Sequence, residues 1–241
     1  MNNITPPPFV ERHRYHAVKQ INLDGRRLYE TPDGSKTPSV TTILSKTKDM
    51  THLNEWKKRV GEENAQRITT EAAGVGTAMH NNLERFLTGM ERMPGKNIVH
   101  VQANKMADEI IKNALCDVNE VWGIEQALYF PGLYSGTTDL VGVYKGKAAI
   151  MDFKQTNKPK KKEWVEDYYM QLVAYALAHN EVHGTNIRKG VILMCVQPKM
   201  NDKFDIINPP QYQEFILEGT EFEYYRDKWW RRLEEYYSKF G

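Results

Sequence analysis

The stretch Gly136-Thr137-Thr138-Asp139, followed by Ile150-Met151-Asp152-Phe153-Lys154, decides the predicted fold. The second stretch has strand character, and side chains two apart on a strand point to the same face, so Asp152 and Lys154 are predicted to share one cleft. Asp139 begins an alternating run that ends in a glycine turn, which places it on the neighbouring strand of a hairpin. Two carboxylates from adjacent strands are suitable ligands for Mg²⁺ or Mn²⁺.

Composition narrows the class of protein. The chain has 241 residues, which suits a single domain, and its formal charge of +2 means that any nucleic-acid affinity must come from local clusters of charge. Cys116 and Cys195 lie far apart in apolar surroundings, which favours reduced thiols. Neither a membrane-spanning run, a secretory signal nor a clear transit peptide is visible. We therefore expect a protein of the cytoplasm of a bacterial cell or a phage-infected host, with no membrane partner.

The first third of the chain is predicted to precede the core. Residues 1–14 contain Pro6-Pro7-Pro8 and are expected to form a loose arm. Residues 15–75 are predicted to form an N-terminal hairpin around the turn Asp24-Gly25, followed by a helical extension over residues 53–70. The whole chain, 1–241, is interpreted as one domain with its core in residues 76–241.

The core is predicted to alternate helices and strands. Apolar spacing indicates helices over 76–87, 101–115 and 161–179, and a final helix with an apolar stripe from Phe222 to Phe240. Strands are predicted at 118–130, 134–144, 148–155, 190–196 and 212–217, and the fourth of these is apolar enough for the centre of a sheet. This order predicts an α/β (α+β) fold with a mixed sheet flanked by helices.

Four further side chains have the chemistry of a metal-dependent site. His80 begins a helix and could complete a metal shell, although a lone helical histidine is more often a surface or capping group. Glu125 lies on the first strand of the meander, where an outward-facing position is equally compatible. Gln171 and Tyr175 share a helix face and could hydrogen-bond a phosphate; the alternative is an exposed glutamine beside a packed tyrosine.

A cationic segment follows the strand that carries Asp152. It holds Lys158, Lys160, Lys161 and Lys162 without an intervening acid, and Trp164 stands next to it. Lysine runs are often only solvated. Beside a metal site, however, this segment is predicted to bind the phosphates of a strand while Trp164 stacks on an unpaired base.

Together these motifs resemble the PD-(D/E)xK nuclease superfamily, in its RecB-like branch. That branch is marked by five motifs in a fixed order: a GxxxH helix, a glutamate strand, a GxxD strand, a DxK strand and a QxxxY helix. Here they correspond to Gly76 to His80, Glu125, Gly136 to Asp139, Asp152 to Lys154, and Gln171 to Tyr175. The segment from Pro38 to Leu44, which includes Ser39 and Thr41, is similar to the mitochondrial genome maintenance exonucleases and their phage relatives.

The resemblance implies a restriction-endonuclease-like core and a set of roles. One or two Mg²⁺ or Mn²⁺ ions would be held by His80, Asp139, Asp152 and the carbonyl of Phe153. Glu125 would hold a second ion or a bridging water, and Lys154 would orient the attacking water. Substrate contacts are implied for Gln171, Tyr175, Ser39, Thr41 and the lysine segment.

The chain also departs from relatives of this type. Gln155 stands where the family often has Ser or Thr, two cysteines cannot hold an iron–sulfur cluster, and no GxxxxGK[ST] motif for ATP occurs. The implied activity is that of an exonuclease on single-stranded DNA ends or flaps, in replication, recombination or repair. The alternatives are a structure-selective endonuclease and a nucleic-acid-binding module without turnover.

Overall fold

The computed structural model describes residues 4–23 and 26–241, so the predicted turn Asp24-Gly25 lies outside the described residues. The strands are β1 (Lys19–Leu23), β2 (Arg26–Glu30), β3 (Lys36–Pro38), β4 (Val118–Phe130), β5 (Tyr134–Tyr144), β6 (Lys147–Thr156), β7 (Lys189–Val196), β8 (Lys199–Met200), β9 (Ile206–Asn208) and β10 (Gln211–Glu218). The α-helices are α1 (Val40–Lys46), α2 (Thr51–Val60), α3 (Glu62–Leu87), α4 (Ile98–Asn113), α5 (Glu166–His183) and α6 (Thr220–Phe240).

A five-stranded mixed sheet lies at the centre, in the order β10-β7-β6-β5-β4. Strands β6 and β7 run parallel, and each of the other neighbouring pairs in this sheet is antiparallel. Every residue of β7 is buried, as expected for an apolar run at the centre of a sheet. The predicted α/β fold class, with a mixed sheet between helices, is confirmed.

Helices cover both faces of this sheet. One face packs against α3 and α4 through an apolar cluster that includes Met79, Leu83 and Ile110. The other face packs against α1, α5 and α6, with Tyr169 and Trp229 at its centre. None of the helices in the described part of the chain combines the length and apolarity needed to cross a membrane.

The hairpin that joins β5 to β6 closes as its sequence predicts. Lys145 and Gly146 have φ angles of +48° and +76°. Positive φ at both central residues matches the right-handed twist of the two strands, and glycine adopts it without a steric penalty. This tight connection holds β5 and β6 in register from Leu140 to Tyr144.

Two helices differ from their predicted bounds. Helices were predicted at 53–70 and 76–87. In the structure the break lies at Gly61, whose φ is +82°, and α3 continues unbroken from Glu62 to Leu87. The helix predicted from residue 161 begins at Glu166, because Glu166 and Asp167 place negative charge at its N-terminus, whereas the preceding lysines are unfavourable there.

The segment predicted to be a loose arm is held along the outer strand β4. The Val10 amide donates to the Val121 carbonyl at 2.8 Å, and the Arg12 guanidinium forms two hydrogen bonds with the Glu120 carboxylate. Strand β4 is an edge strand with free backbone groups, and pairing with the arm satisfies some of them. The assignment of the whole chain to one domain stays a prediction.

Substitution of Trp229 tests the packing of α6 against the sheet. The Trp229 side chain is fully buried, with its ring edge-on to Tyr134 at 4.9 Å between centroids. We expect Trp229→Ala to lower the free energy of unfolding by about 3–5 kcal/mol, because it removes a large buried side chain and leaves a cavity. Denaturant unfolding measures this change. Tyr224→Ala, at an exposed position of the same helix, is the control; an equal loss in both variants would contradict this packing.

Candidate active site

The candidate site lies where β5 and β6 separate. Their ladder ends at the pair Leu140 and Met151, and Asp139 and Asp152 follow directly on the two strands. The Phe153 amide donates a hydrogen bond of 2.6 Å to Asp139 Oδ2. The Asp139 side chain thus accepts the hydrogen bond that a backbone carbonyl would accept if the ladder continued. The two strands open there around the buried carboxylates of Asp139 and Asp152. The Phe153 backbone lies at the site, while a metal contact by its carbonyl stays a prediction.

His80 reaches the site from α3. Its Nδ1 lies 3.3 Å from Asp139 Oδ1, so the predicted meeting of the helix with the strand is observed. Burial lowers the pKa of His80, but the Asp139 carboxylate outweighs this effect, and the pKa lies above its ordinary value. Burial raises the pKa of Asp139, and His80 more than offsets it, so this pKa is lowered.

Glu125 completes a group of metal-ligating side chains. It stands beside Asp139 on the neighbouring strand, since the flanking pairs are Ile124 with Leu140 and Gln126 with Thr138. One ligand atom each from His80, Glu125 and Asp139 lies within 4.8 Å of the other two. An imidazole nitrogen with two carboxylate oxygens is a donor set suited to a divalent ion.

The backbone φ angle of Glu125 and the pKa of its carboxyl group both depart from ordinary values. Its φ is +49°, a region that a residue other than glycine rarely adopts, and such strain is often found at functional sites. Although part of the side chain is exposed, loss of water on its inner side raises its pKa to about 7, and the Asp139 charge adds to the effect.

Asp152 and Lys154 share one face of β6, as predicted, and form an ion pair. Asp152 is buried, and this burial raises its pKa to about 6 in spite of the opposing charge of Lys154. Burial lowers the pKa of Lys154, but Asp152 outweighs it, so the ammonium stays charged. Its Nζ also lies 5.1 Å from the ring centre of Tyr168, a neighbour that the motif pattern did not indicate.

Gln171 and Tyr175 contact the site from within the protein. Gln171 Nε2 lies 3.5 Å from Asp152 Oδ1 and donates to the Tyr175 hydroxyl at 3.2 Å. Both side chains are buried, and their observed contacts support Asp152, while a contact of either with a phosphate stays a prediction. A Cβ at Gly136 would lie 2.7 Å from the Tyr175 ring, which explains the glycine of the GxxD motif.

Gln155, the residue that departs from the family pattern, joins β6 to α3. Its side-chain amide donates to the Ala72 carbonyl at 3.1 Å. Its Cγ would lie 3.4 Å from a Cβ at Gly76, the glycine of the GxxxH motif. Gln155 therefore holds α3 against β6, the strand next to the one that carries Asp139.

Ser39, predicted to contact substrate, has a structural role here. It is buried, and its Oγ caps α1 by accepting from the Thr42 amide at 3.0 Å. We correct the prediction for Ser39, because a buried cap is not accessible to substrate. Thr41 is exposed, and its substrate contact stays a prediction.

The lysine segment follows directly after β6, the strand that carries Asp152 and Lys154. Lys158 and Lys161 are exposed, while Lys162 forms an ion pair with Glu221. The backbone of Lys160 is fixed by the Gln213 side chain, which accepts from its amide at 2.8 Å and donates to its carbonyl at 3.0 Å. Trp164 is 57% exposed, and Lys161 Nζ lies 5.4 Å from its ring centre. The segment therefore offers exposed positive charge and a partly exposed aromatic ring after the strand that carries Asp152.

Comparison with known proteins gives three related sequences. Mitochondrial genome maintenance exonuclease 1 of Mus musculus is 30% identical over 84% of this chain and 59% of its own length. The Homo sapiens protein is 28% identical over 84% of this chain and 58% of its own length. The Xenopus tropicalis protein is 26% identical over 99% of this chain and 67% of its own length. This chain is similar to the mitochondrial genome maintenance exonucleases. The similarity to these exonucleases, predicted from the segment Pro38 to Leu44, is confirmed.

The chain thus spans about three fifths of the length of the mouse and human relatives. No protein-family model matches it. A solved structure entitled "Crystal structure of SSO0001" aligns at a TM-score of 0.38 and 15% identity, covering 83% of this chain and 74% of that chain, which supports no conclusion about function. Membership of the PD-(D/E)xK superfamily stays a prediction.

One prediction is wrong. We expected a cytoplasmic protein of a bacterial cell or a phage-infected host. The matched relatives are named as mitochondrial proteins and come from two mammals and a frog, which contradicts that setting.

The raised pKa of Glu125 predicts how its removal changes stability with pH. The folded chain holds a proton on Glu125 up to about pH 7, whereas the unfolded chain releases it near the ordinary value of 4.5. This carboxylate therefore costs folded-state stability as pH rises between these values, and the cost is fully present above about pH 7. We expect Glu125→Gln to melt progressively higher than wild type between about pH 5 and pH 8, with chelator present.

Thermal unfolding at several pH values measures the trend. Glu234→Gln makes the same chemical change at an exposed position of α6 and is the control. A difference between Glu125→Gln and wild type that stays constant with pH would show that the Glu125 carboxyl is not perturbed.

Proposed function

We propose that this chain is a metal-dependent deoxyribonuclease. More specifically, we propose an exonuclease that acts on single-stranded DNA ends or flaps during DNA maintenance. The observation that carries the proposal is the convergence of His80, Glu125 and Asp139 next to the Asp152 and Lys154 pair. The names of the related proteins support the choice of exonuclease.

The donor set fits one or two Mg²⁺ or Mn²⁺ ions. His80, Glu125 and Asp139 would hold the first ion, and Asp152 and the Phe153 carbonyl are the remaining proposed ligands. When bound, such an ion lowers the pKa of a coordinated water and neutralises charge on the phosphate oxygens. The pKa values of Asp152 and Glu125, near 6 and 7, mean that these carboxyl groups hold protons at a higher pH than ordinary acids do. Binding of a cation would therefore require their deprotonation.

The side chains around the ligands would position the reactants. Lys154 holds a charge in a largely buried position, where it can stabilise negative charge that builds on a phosphate or orient a water. Gln171 contacts the Asp152 carboxylate and donates a hydrogen bond to the Tyr175 hydroxyl. We assign these two residues to positioning, because their contacts are to Asp152 and to each other.

Substrate would approach along the lysine segment. The chain is close to neutral overall, so charge for binding phosphates must be local. The exposed Lys158 and Lys161 would provide it, after the strand that carries Asp152. Trp164 offers a ring on which an unpaired base can stack. These features favour a single strand over a duplex as the bound form.

Asp152→Asn and Lys154→Ala test the proposal. We expect each to lower the rate of DNA cleavage by roughly 10²–10⁴-fold, because each removes a charge positioned at the reacting phosphate. Matched controls are Asp227→Asn and Lys239→Ala, at exposed positions of α6, and these should cleave at the wild-type rate. Circular dichroism checks that each variant is folded.

Labelled linear, circular and flapped single strands are incubated with Mg²⁺, Mn²⁺ or chelator. An exonuclease shortens linear strands and spares circles, and the activity is lost in chelator. Cut circles would instead identify an endonuclease, and a mobility shift without shortening would identify a binding module. Wild-type cleavage by folded Asp152→Asn or Lys154→Ala would show that the site is assigned wrongly.

A further inference from the structure

A short hairpin formed by β8 and β9 presents apolar side chains to solvent. Over residues 199–208 the chain leaves the central sheet after β7, turns, and returns to begin β10. Phe204, Ile206 and Ile207 are 47%, 45% and 63% exposed. Large apolar side chains clustered on an open surface are typical of a binding site rather than of a surface that contacts only water.

The turn of this hairpin is tightly ordered. The Asn201 side chain accepts from the amides of Lys203 and Asp205 at 3.0 and 2.9 Å, and the Phe204 amide donates to the Asn201 carbonyl at 2.9 Å. Phe204 itself has a φ of +64°, a conformation that an aromatic residue adopts only when its surroundings impose it. The turn thus fixes an aromatic side chain at an exposed tip.

The hairpin leaves the sheet beyond the carboxyl ends of the parallel strands β6 and β7, and β6 carries Asp152 and Lys154. Strand β7 runs parallel to β6, with Met194 beside Lys154. At the end of the pair the Gln197 amide donates to the Thr156 carbonyl at 2.8 Å, so both strands leave the sheet together. With a rise of about 3.3 Å per residue, the tip lies within roughly 30 Å of the level of Lys154, a span of several nucleotides.

The lysine segment is bonded to the strand that the hairpin leads into. Gln213, which fixes the backbone of Lys160, lies on β10 two residues after the point where the hairpin rejoins the sheet. Exposed ammonium groups and exposed apolar side chains therefore lie on two segments that are both joined to the end of the β7 and β10 pair. A ligand that matches both must carry negative charges and flat apolar faces at regular intervals, which is the chemistry of a single-stranded nucleic acid.

We propose that the 199–208 hairpin is a base-contacting element, in which Phe204 and Ile207 pack on unpaired bases of the strand whose phosphates lie on Lys158 and Lys161. This inference rests on the proposed nuclease function and adds a second contact region, away from the reacting phosphate. The hairpin holds the strand by its bases without reading their sequence, because every base offers a flat face.

Binding measurements test the hairpin separately from catalysis. The full-length chain and its Phe204→Ala and Ile207→Ala variants are titrated into a fluorescent single strand in chelator, where no cleavage occurs. We expect each variant to bind about ten-fold more weakly than wild type. Phe9→Ala is the matched control, since Phe9 is 61% exposed beside β4, at the opposite edge of the sheet, and its affinity should not change. Equal melting temperatures verify that the variants are folded.

A second strand, with abasic sites in place of bases, identifies what the hairpin contacts. Wild type should lose affinity for it, and Phe204→Ala should lose much less, because the partner of the missing ring is already gone. Wild-type affinity in both hairpin variants, or an equal loss on the abasic strand in wild type and Phe204→Ala, would overturn the inference. A wild-type chain that cleaves DNA while the hairpin variants bind normally would leave the nuclease proposal intact. A wild-type chain that neither binds nor cleaves would reject the nuclease proposal itself.

Discussion

The Asp139 carboxylate is the interaction on which the rest of the site depends. It accepts a hydrogen bond from the Phe153 amide and lies 3.3 Å from the His80 ring, so it joins β5, β6 and α3 at one point. A buried carboxylate without partners would be strongly unfavourable, and these contacts keep it ionised. The opening between β5 and β6 exists because a side chain replaces the backbone bond there. The acidic side chains of the site lie at that opening.

The glycine of the GxxD motif has a steric cause that follows from this geometry. Gly136 leaves room for the Tyr175 ring, which contacts Gln171 and, through it, Asp152. The absent side chain is next to a residue that supports the site, and it is not in the site itself. Conformational freedom is not the reason for this glycine, because its φ is not positive. At Gly76 a Cβ would make only an ordinary contact of 3.4 Å with Gln155, which holds α3 against β6.

The sequence predicted the sheet well and the details of the site less well. The bounds of β4 and β5 follow from turn residues and alternation, which are local signals, and these two strands begin and end where predicted. The long helix α3 was divided wrongly, because apolar spacing predicted separate helices at 53–70 and 76–87, whereas α3 continues from Glu62 to Leu87. The 199–208 hairpin was missed, since its strands are only two and three residues long and show no alternation. The positive φ of Glu125 was also missed, because no sequence pattern indicates it. Ser39 was interpreted as a substrate contact from the resemblance to the exonucleases, whereas its hydroxyl caps α1.

The central claim is that His80, Glu125 and Asp139 form the primary cation site of this chain. The most direct measurement is a crystal structure of the protein with Mn²⁺, with the ion located by anomalous scattering. The account predicts that the strongest peak lies between these three side chains, with ligand distances of roughly 2.0–2.3 Å. Crystals saturated with Mn²⁺ that show their strongest peak elsewhere, or no peak beside Asp139, would contradict it.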